Sequence, residues 1–133
     1  MINGKFLRLK IKKNGFTLIE MLVVMAVIAL LLSIVTPSYF ASLDKSRDIA
    51  LQENLKIVRV TLDKFNADKG HFPDNLEELV DKKYLREVPV DPVTGTSITW
   101  ILDQANGEGE SGIQNIRSGA AGLAYDGRRY DAL

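Results

Sequence analysis

Residues 12–40 read KKNGFTLIEMLVVMAVIALLLSIVTPSYF, and this stretch decides the fold of the 133-residue chain. Residues 21–43 contain no charged side chain, and with residues 16–19 the apolar run reaches the roughly 20 residues that a helix needs to span a bilayer. A single acid, Glu20, interrupts the start of the run. The stretch therefore predicts a transmembrane helix near the N-terminus.

Charges are distributed unevenly on the two sides of this segment. Residues 1–15 hold five of the 17 basic side chains and no acid, so the rest of the chain carries 12 basic and 17 acidic side chains. By the positive-inside rule the N-terminus is cytoplasmic and the body beyond the anchor is extracytoplasmic. An acidic body lacks the basic face that follows phosphates, so we predict no nucleic-acid partner.

A secretory signal peptide is the alternative interpretation of this N-terminus. Such a peptide also has a basic start and an apolar middle, but it is removed at a pair of small residues. Thr36 and Ser38 would serve as that pair. Pro37 between them and the length of the apolar run favour a retained anchor instead.

An amphipathic pattern follows the apolar run. Apolar residues recur at spacings of four and three along one face, and charged side chains lie on the other faces. The apolar residues are Leu51, Leu55, Val58, Leu62 and Phe65. The charged residues are Asp48, Glu53, Lys56, Arg59 and Asp63. No glycine lies between Gly15 and Gly70, so we predict one helix over residues 16–67, roughly 75 Å long. Pro37, which lacks an N–H, is predicted to kink this helix.

Glycine and proline positions predict the remainder of the body. Gly70 ends the long helix, and Asp74 caps a short helix over residues 75–80, with Glu77 completing a capping box. Three β-type segments follow Gly95: residues 97–102, residues 113–118, and the flanks of an Asp126-Gly127 turn. The predicted fold class is α+β, with a small antiparallel sheet packed on the amphipathic face of the long helix.

Few residues are suited to catalysis or metal binding. The chain has no cysteine, and its single histidine, His71, lies in a predicted turn without a nucleophile motif. The glycine-rich residues 106–112 carry two acids and lack the Lys-Ser/Thr ending of a phosphate loop. Trp100 is predicted to be a core residue. We therefore predict that the chain is not an enzyme.

The N-terminal motif resembles that of type IV pilins and type II secretion pseudopilins. Residues 12–24, KKNGFTLIEMLVV, combine a basic leader, a glycine, a phenylalanine and a glutamate four residues after the phenylalanine. The resemblance implies that a prepilin peptidase cleaves between Gly15 and Phe16 and then methylates the new amine of Phe16. It also implies that the apolar segment is kept as an anchor and becomes the filament core. Pro37 falls where pilin helices typically carry a proline.

Within that family the body resembles the major, G-type pseudopilin. Residues 69–73 (KGHFP), residues 88–92 (VPVDP) and the Tyr125-Asp126-Gly127 turn carry this likeness, although Val93-Thr94-Gly95 stands where the usual sequence has Trp-Gly. The resemblance implies a calcium-binding loop, but residues 118–127 supply a single carboxylate, Asp126, for an ion that takes six to eight oxygens. We predict no cofactor, with calcium at Asp126 as the alternative.

Glu20 is predicted to act in assembly. A carboxylate at the centre of a membrane segment costs about 2.5–3.5 kcal/mol and is retained mainly where it has a partner. The predicted partner is the Phe16 amine of a neighbouring subunit, so that pairing sets the axial register. The alternative is an acid at the membrane edge without a role.

The implied organisation is a cleaved basic leader over residues 1–15, a transmembrane and filament-core helix over residues 16–37, and a periplasmic globular domain over residues 38–133. In the bacterial inner membrane the subunit would form a homo-oligomeric helical filament with minor pseudopilins on an inner-membrane assembly platform. This periplasmic pseudopilus would drive export of folded proteins across the outer membrane. Alternatives are a type IV pilin, major or minor, of a surface pilus, and a membrane-anchored periplasmic binding domain.

Overall fold

A computed structural model describes residues 15–133 of the chain. In chain order it contains helix α1 (Leu18–Lys69), helix α2 (Leu76–Asp81), strands β1 (Ile101–Gln104) and β2 (Ile113–Arg117), and a 3-10 helix (Tyr130–Ala132). A long N-terminal helix and a small two-stranded antiparallel sheet confirm the predicted α+β class. The basic leader lies outside the described residues, except for Gly15.

The chain divides after Ser38 into two compact units. We call residues 15–38 the anchor and Tyr39–Leu133 the body. α1 is continuous through both, and it begins and ends two residues later than predicted. Gly70 follows it with a φ of 78°, the left-handed conformation that commonly ends a helix, and donates its N–H to the Asn66 carbonyl at 2.8 Å.

The core of the body is built on the predicted apolar face of α1. Each residue of that face is at most 1% exposed: Leu51, Leu55, Val58, Leu62 and Phe65. They form one cluster with residues of the loop after α1, of α2 and of the sheet: Phe72, Leu76, Leu79, Trp100, Ile113 and Ile116. The helical spacing of the apolar residues therefore predicted the core contribution of α1 residue by residue.

The first strand differs from its prediction. β1 begins at Ile101 instead of residue 97 and pairs antiparallel with β2, with Leu102 opposite Ile116. The residues before it bond to the preceding loop instead of a strand: the Thr99 and Thr94 hydroxyls lie 2.7 Å apart, and the Trp100 indole N–H donates to the Pro89 carbonyl at 2.8 Å. The prediction of Trp100 as a core residue is confirmed.

The predicted strands around Asp126-Gly127 are wrong. Only a single bridge, between Leu123 and Arg129, forms there, and the 3-10 helix follows. The tyrosines that were expected in those strands bond instead to Asp48 of α1: the Tyr125 N–H and the Tyr130 hydroxyl donate to its two carboxylate oxygens, each at 2.7 Å. Asp48, which the helical pattern placed among the charged faces, is 2% exposed.

The cap of α2 lies one residue later than predicted. Asn75, with φ −151° and ψ 168°, is the N-cap, and its side chain accepts the Glu78 N–H at 2.8 Å. Glu78, rather than Glu77, reaches back, and its carboxylate accepts the Asp74 N–H at 2.9 Å. Asn and Asp cap helices equally well, so the composition alone did not choose between the two positions.

Two arginines form hydrogen bonds with residues of the sheet. Arg59 of α1 donates to the Asn115 side chain at 2.9 Å, to the Ile116 carbonyl at 3.0 Å and to a Leu133 backbone oxygen at 2.7 Å. Arg117 makes a two-pronged ion pair with Asp103 at 2.9 and 3.0 Å, which lowers the pKa of that carboxyl. Arg59 thus joins α1, β2 and the C-terminal residue.

The end of α2 yields the first test. Lys83 lies one residue past the C-cap Lys82 and has a φ of 64°, a conformation that costs an L-residue about 1–2 kcal/mol. We expect Lys83→Gly to stabilise the body by up to about 1 kcal/mol, because glycine adopts this conformation without strain. Trp100 fluorescence during thermal unfolding of the full chain in detergent measures the effect.

Lys82→Gly is the matched control. Lys82 has an ordinary φ of −85°, so glycine there only gains freedom in the unfolded chain and should lower the melting temperature. Equal losses in both variants would contradict the strain at Lys83.

Tyr130 yields a pH test. Burial, followed by the hydrogen bond to Asp48 and the charge of Asp48, raises the pKa of Tyr130 to about 12. Between pH 10 and 12 an unfolded tyrosine is ionised while Tyr130 in the fold keeps its proton, so its stabilising contribution is complete below pH 10 and is lost as the pH rises towards 12. Denaturant unfolding of the wild type and of Tyr130→Phe should therefore give free energies that converge over this range. Parallel curves would contradict the assignment.

Candidate processing and assembly site

The backbone at Gly15 and Phe16 is exposed and not helical. Residues 15–17 precede α1 without regular structure. Apart from Gly15 and its chain neighbours, no heavy atom of the described residues lies within 4 Å of the place where a Cβ of Gly15 would be. The Phe16 side chain is 84% exposed. A glycine lets another protein approach the backbone closely. The geometry therefore presents the predicted scissile bond directly before the first turn of α1.

Glu20 forms a capping box with Thr17. The Thr17 hydroxyl oxygen accepts the Glu20 N–H at 3.2 Å, and the Glu20 carboxylate accepts the Thr17 N–H at 3.4 Å. The first N–H groups of a helix lack partners within the helix, and in a bilayer no water replaces them. The Thr-x-x-Glu spacing signals such a box. The sequence reasoning missed it because Glu20 was considered only as a membrane acid.

The carboxylate of Glu20 keeps capacity for a further donor. Among residues 15–133 its hydrogen-bond partner is the Thr17 N–H, through Oε2 only and at the long distance of 3.4 Å. A carboxylate has two oxygens and about four acceptor positions. The side chain thus caps its own helix weakly and remains able to bind a cationic group.

The anchor is apolar and exposed on all sides. Every residue from 15 to 42 is exposed. In the described part of the chain, α1 is the one helix long and apolar enough to cross a membrane, judged by length and composition, and its apolar window is not buried by other residues. This arrangement fits a single-pass membrane anchor.

Pro37 lies within α1 without ending it. Because proline has no N–H, the Ser33 carbonyl loses its usual helical donor. Two hydroxyls bond to carbonyls just before this point: Ser33 to Leu30 at 2.7 Å and Thr36 to Leu32 at 2.5 Å. The predicted kink at Pro37 stays a prediction.

The residues around Asp126 do not fit a calcium ion. Both oxygens of Asp126 accept hydrogen bonds from Arg128, from its N–H at 3.1 Å and its Nε at 2.8 Å. The Arg128 guanidinium lowers the pKa of the Asp126 carboxyl. Over residues 15–133 no three side chains of the His, Cys, Asp and Glu types lie close enough together to hold a metal ion. The one predicted ligand is therefore already paired with the side-chain cation of Arg128.

His71 has a structural environment. Its Nδ1 lies 2.9 Å from the Phe72 carbonyl oxygen, and its ring meets the edge of the Phe65 ring at 5.7 Å. These contacts place His71 beside the core cluster at the turn after α1.

Comparison with known proteins agrees with this geometry. The family model of the prokaryotic N-terminal methylation motif matches residues 10–36, which include Gly15, Phe16 and Glu20. Type II secretion system core protein G of Pseudomonas aeruginosa is 29% identical over 97 residues, 61% of this chain and 68% of the relative. The resemblance to the pilin and pseudopilin family is confirmed.

Further relatives extend the comparison. Type II secretion system core protein G of Escherichia coli strain K12 is 28% identical over 61% of this chain and 67% of its own length. Competence protein ComGC of Halalkalibacterium halodurans is 28% identical over 53% of this chain and 70% of its own length. No solved structure gives a significant match. The chain is thus pseudopilin-like, and the matches to core protein G are longer than the methylation motif alone.

Processing at Gly15 can be tested directly. We expect the mature protein to begin at methylated Phe16, and Gly15→Leu to remain uncut, because a bulky side chain blocks access to the backbone. Intact-protein mass spectrometry of membrane fractions distinguishes the two. Leu18→Ala, three residues further on in the first turn of α1, is the control and should be cut normally. A mature N-terminus near Tyr39 would establish the signal-peptide alternative.

Proposed function

We propose that this chain is the major pseudopilin of a type II secretion system, a structural and non-enzymatic subunit. One observation carries the proposal: α1 is a single helix whose first part is an exposed apolar anchor and whose second part bears the core of a small α+β body. The similarity to core protein G, which extends over 61% of the chain, supports this function over those of other pilin-like proteins.

The topology follows from the charge distribution. The basic leader stays on the cytoplasmic side of the inner membrane, and the acidic body lies in the periplasm. A prepilin peptidase cuts before Phe16 on the cytoplasmic side, where the exposed Gly15 backbone precedes the helix. Methylation of the new amine leaves a positive charge at the start of α1.

During assembly, the anchors of other copies take the place of the lipid that surrounds each anchor. The exposed apolar side chains of residues 18–35 then pack against one another in the centre of a helical filament. Close packing of side chains drives helix association in membranes, since lipid tails are as apolar as leucine. Apolar contacts alone do not fix the axial position of each helix.

Glu20 supplies that axial register. Buried among apolar helices, its carboxylate is costly unless a cation reaches it. Within one chain Phe16 precedes Glu20 by four residues, a separation that corresponds to about 6 Å of helical rise. Two subunits offset by about this distance along the filament axis would bring the Phe16 amine of one beside the Glu20 carboxylate of the other. A charge-assisted bond to this amine is stronger than the 3.4 Å contact with the Thr17 N–H.

In this proposal the filament moves proteins by growing. With minor pseudopilins and an inner-membrane assembly platform as partners, addition of subunits lengthens a periplasmic pseudopilus that pushes folded proteins through an outer-membrane channel. The subunit contributes packing and register, and its body needs no catalytic group for this task.

A type IV pilin of a surface pilus is the second candidate. Its support is the similarity to competence protein ComGC, a relative whose name does not place it in a secretion system. A membrane-anchored binding domain has weaker support: a groove of about 350 Å³ beside Trp100 offers only Glu77 and Ser97 as polar side chains. Neither alternative explains the likeness to core protein G.

Gene deletion and complementation test the proposal. Deleting the gene should stop export of folded proteins to the medium while surface pili persist, as measured by supernatant proteomics and electron microscopy. Wild-type protein should restore export. Loss of surface pili with normal export would support the pilin alternative instead.

Glu20 variants in the same strain test the register. Glu20→Leu should be inserted and processed but should fail to restore export. Glu20→Gln keeps an acceptor for the Thr17 N–H and loses the charge, so it should fail as well if pairing with an amine is what matters. Glu53→Gln, an exposed acid on the body part of α1, is the control and should restore export. Full export with Glu20→Leu as the only copy would contradict the role of Glu20.

A further inference from the structure

The segment after β2, residues 118–133, has little regular structure of its own. In the described chain it contains one bridge and the 3-10 helix. It nevertheless joins the core, because Ala124 is buried and Tyr130 and Leu133 pack against the apolar cluster. Such a segment needs fixed contacts to other elements, and we call it the C-terminal segment.

Asp48 provides the central contacts. Its side chain is 2% exposed, and its two oxygens accept the Tyr125 N–H and the Tyr130 hydroxyl, each at 2.7 Å. A buried carboxylate is costly unless it is hydrogen-bonded, and bonds to an ionised acceptor are about twice as strong as neutral ones. Both oxygens are thus used to hold the C-terminal segment on α1.

The two ends of the C-terminal segment are held in the same way. At its start the Ser118 hydroxyl donates to Asp91, which is fully buried, at 2.5 Å. At its end Arg59 of α1 donates to a Leu133 backbone oxygen at 2.7 Å. Charged side chains from outside the segment therefore fix its start, its middle and its end.

The one carboxylate that the loop offers to a calcium ion, Asp126, is paired with a side-chain cation. Arg128 binds both oxygens of Asp126, with its Nη2 at 2.7 Å from Oδ2. The guanidinium keeps its charge at all ordinary pH values, so it would repel a divalent ion beside Asp126. This disagrees with the calcium-binding loop that the family resemblance implies.

We propose that Asp48 of α1 holds the C-terminal segment in this chain where relatives with a calcium loop would use the ion, so that the body folds and is stable without calcium. The inference concerns the fold and does not depend on whether the filament belongs to a secretion system or to a surface pilus.

The first measurement compares calcium with chelator. The full chain in detergent is unfolded thermally in millimolar calcium chloride and in excess EDTA, with Trp100 fluorescence as the readout. A ligand that binds the folded state raises the melting temperature as its concentration exceeds its dissociation constant. We expect the two melting temperatures to agree within about 1 °C, well below the several degrees that a saturated site produces in a domain of this size.

Variants then test Asp48 itself. Asp48→Ala leaves the Tyr130 hydroxyl and the Tyr125 N–H without their partner and should lower the melting temperature by on the order of 10 °C, equally in calcium and in EDTA. Asp44→Ala, an exposed acid one turn earlier on α1, is the matched control and should change it little. If Asp48→Ala does not fold, the milder Tyr130→Phe should still give a calcium-independent decrease.

Two outcomes would overturn the proposal. A rise of several degrees in wild-type melting temperature with calcium, abolished by Asp126→Asn, would show that the loop binds the ion after all. Equal melting temperatures for Asp48→Ala, Asp44→Ala and the wild type would show that Asp48 does not hold the C-terminal segment.

Discussion

The helix α1 has to bury two different apolar surfaces, and the rest of the structure depends on how each is covered. In the body, one face of α1 is covered by α2, the sheet and the loops, and its five apolar residues are almost fully buried. In the anchor all faces are apolar and exposed. At about 25 cal/mol per Å² of apolar surface, such exposure in water is untenable. In the proposed assembly, lipid and then other copies of the chain cover the anchor.

Polar residues at the edges of the apolar face decide how the body is closed. Asp48 and Arg59 flank that face of α1, and each bonds to a part of the chain far away in sequence: Asp48 to Tyr125, 77 residues on, and Arg59 to Leu133. Hydrophobic burial is not directional, so many arrangements of the C-terminal segment would cover the core. The buried carboxylate and the guanidinium select one, because any other leaves a charge without partners.

Features that depend on residues close in sequence were predicted more accurately than features that depend on contacts between distant residues. The apolar face of α1 and its end at Gly70 depend on local periodicity and backbone conformation, and both were predicted. The Thr17 cap was also local and was overlooked. The roles of Asp48 and Arg59 were not predictable from the pattern, because a charged residue beside an apolar face looks the same whether it meets water or a distant tyrosine. The expected strands near Tyr125 failed for the same reason, since the Tyr125 backbone N–H, which could have paired with a neighbouring strand, donates to Asp48 instead.

In the proposed assembly, Glu20 has a role both in the isolated subunit and in the filament. A carboxylate in an apolar segment must be stabilised before assembly as well as after it, and the capping box with Thr17 supplies a weak partner within the chain itself. Because that contact is long, at 3.4 Å, the carboxylate would lose little by turning to a charged amine of another copy. The capping contact lowers the cost of holding the acid in the membrane, whereas the proposed pairing would make assembly favourable only at one register. A neutral acceptor at this position would fulfil the first requirement but not the second, so the proposed register requires an acid at position 20 and not merely a hydrogen-bond acceptor.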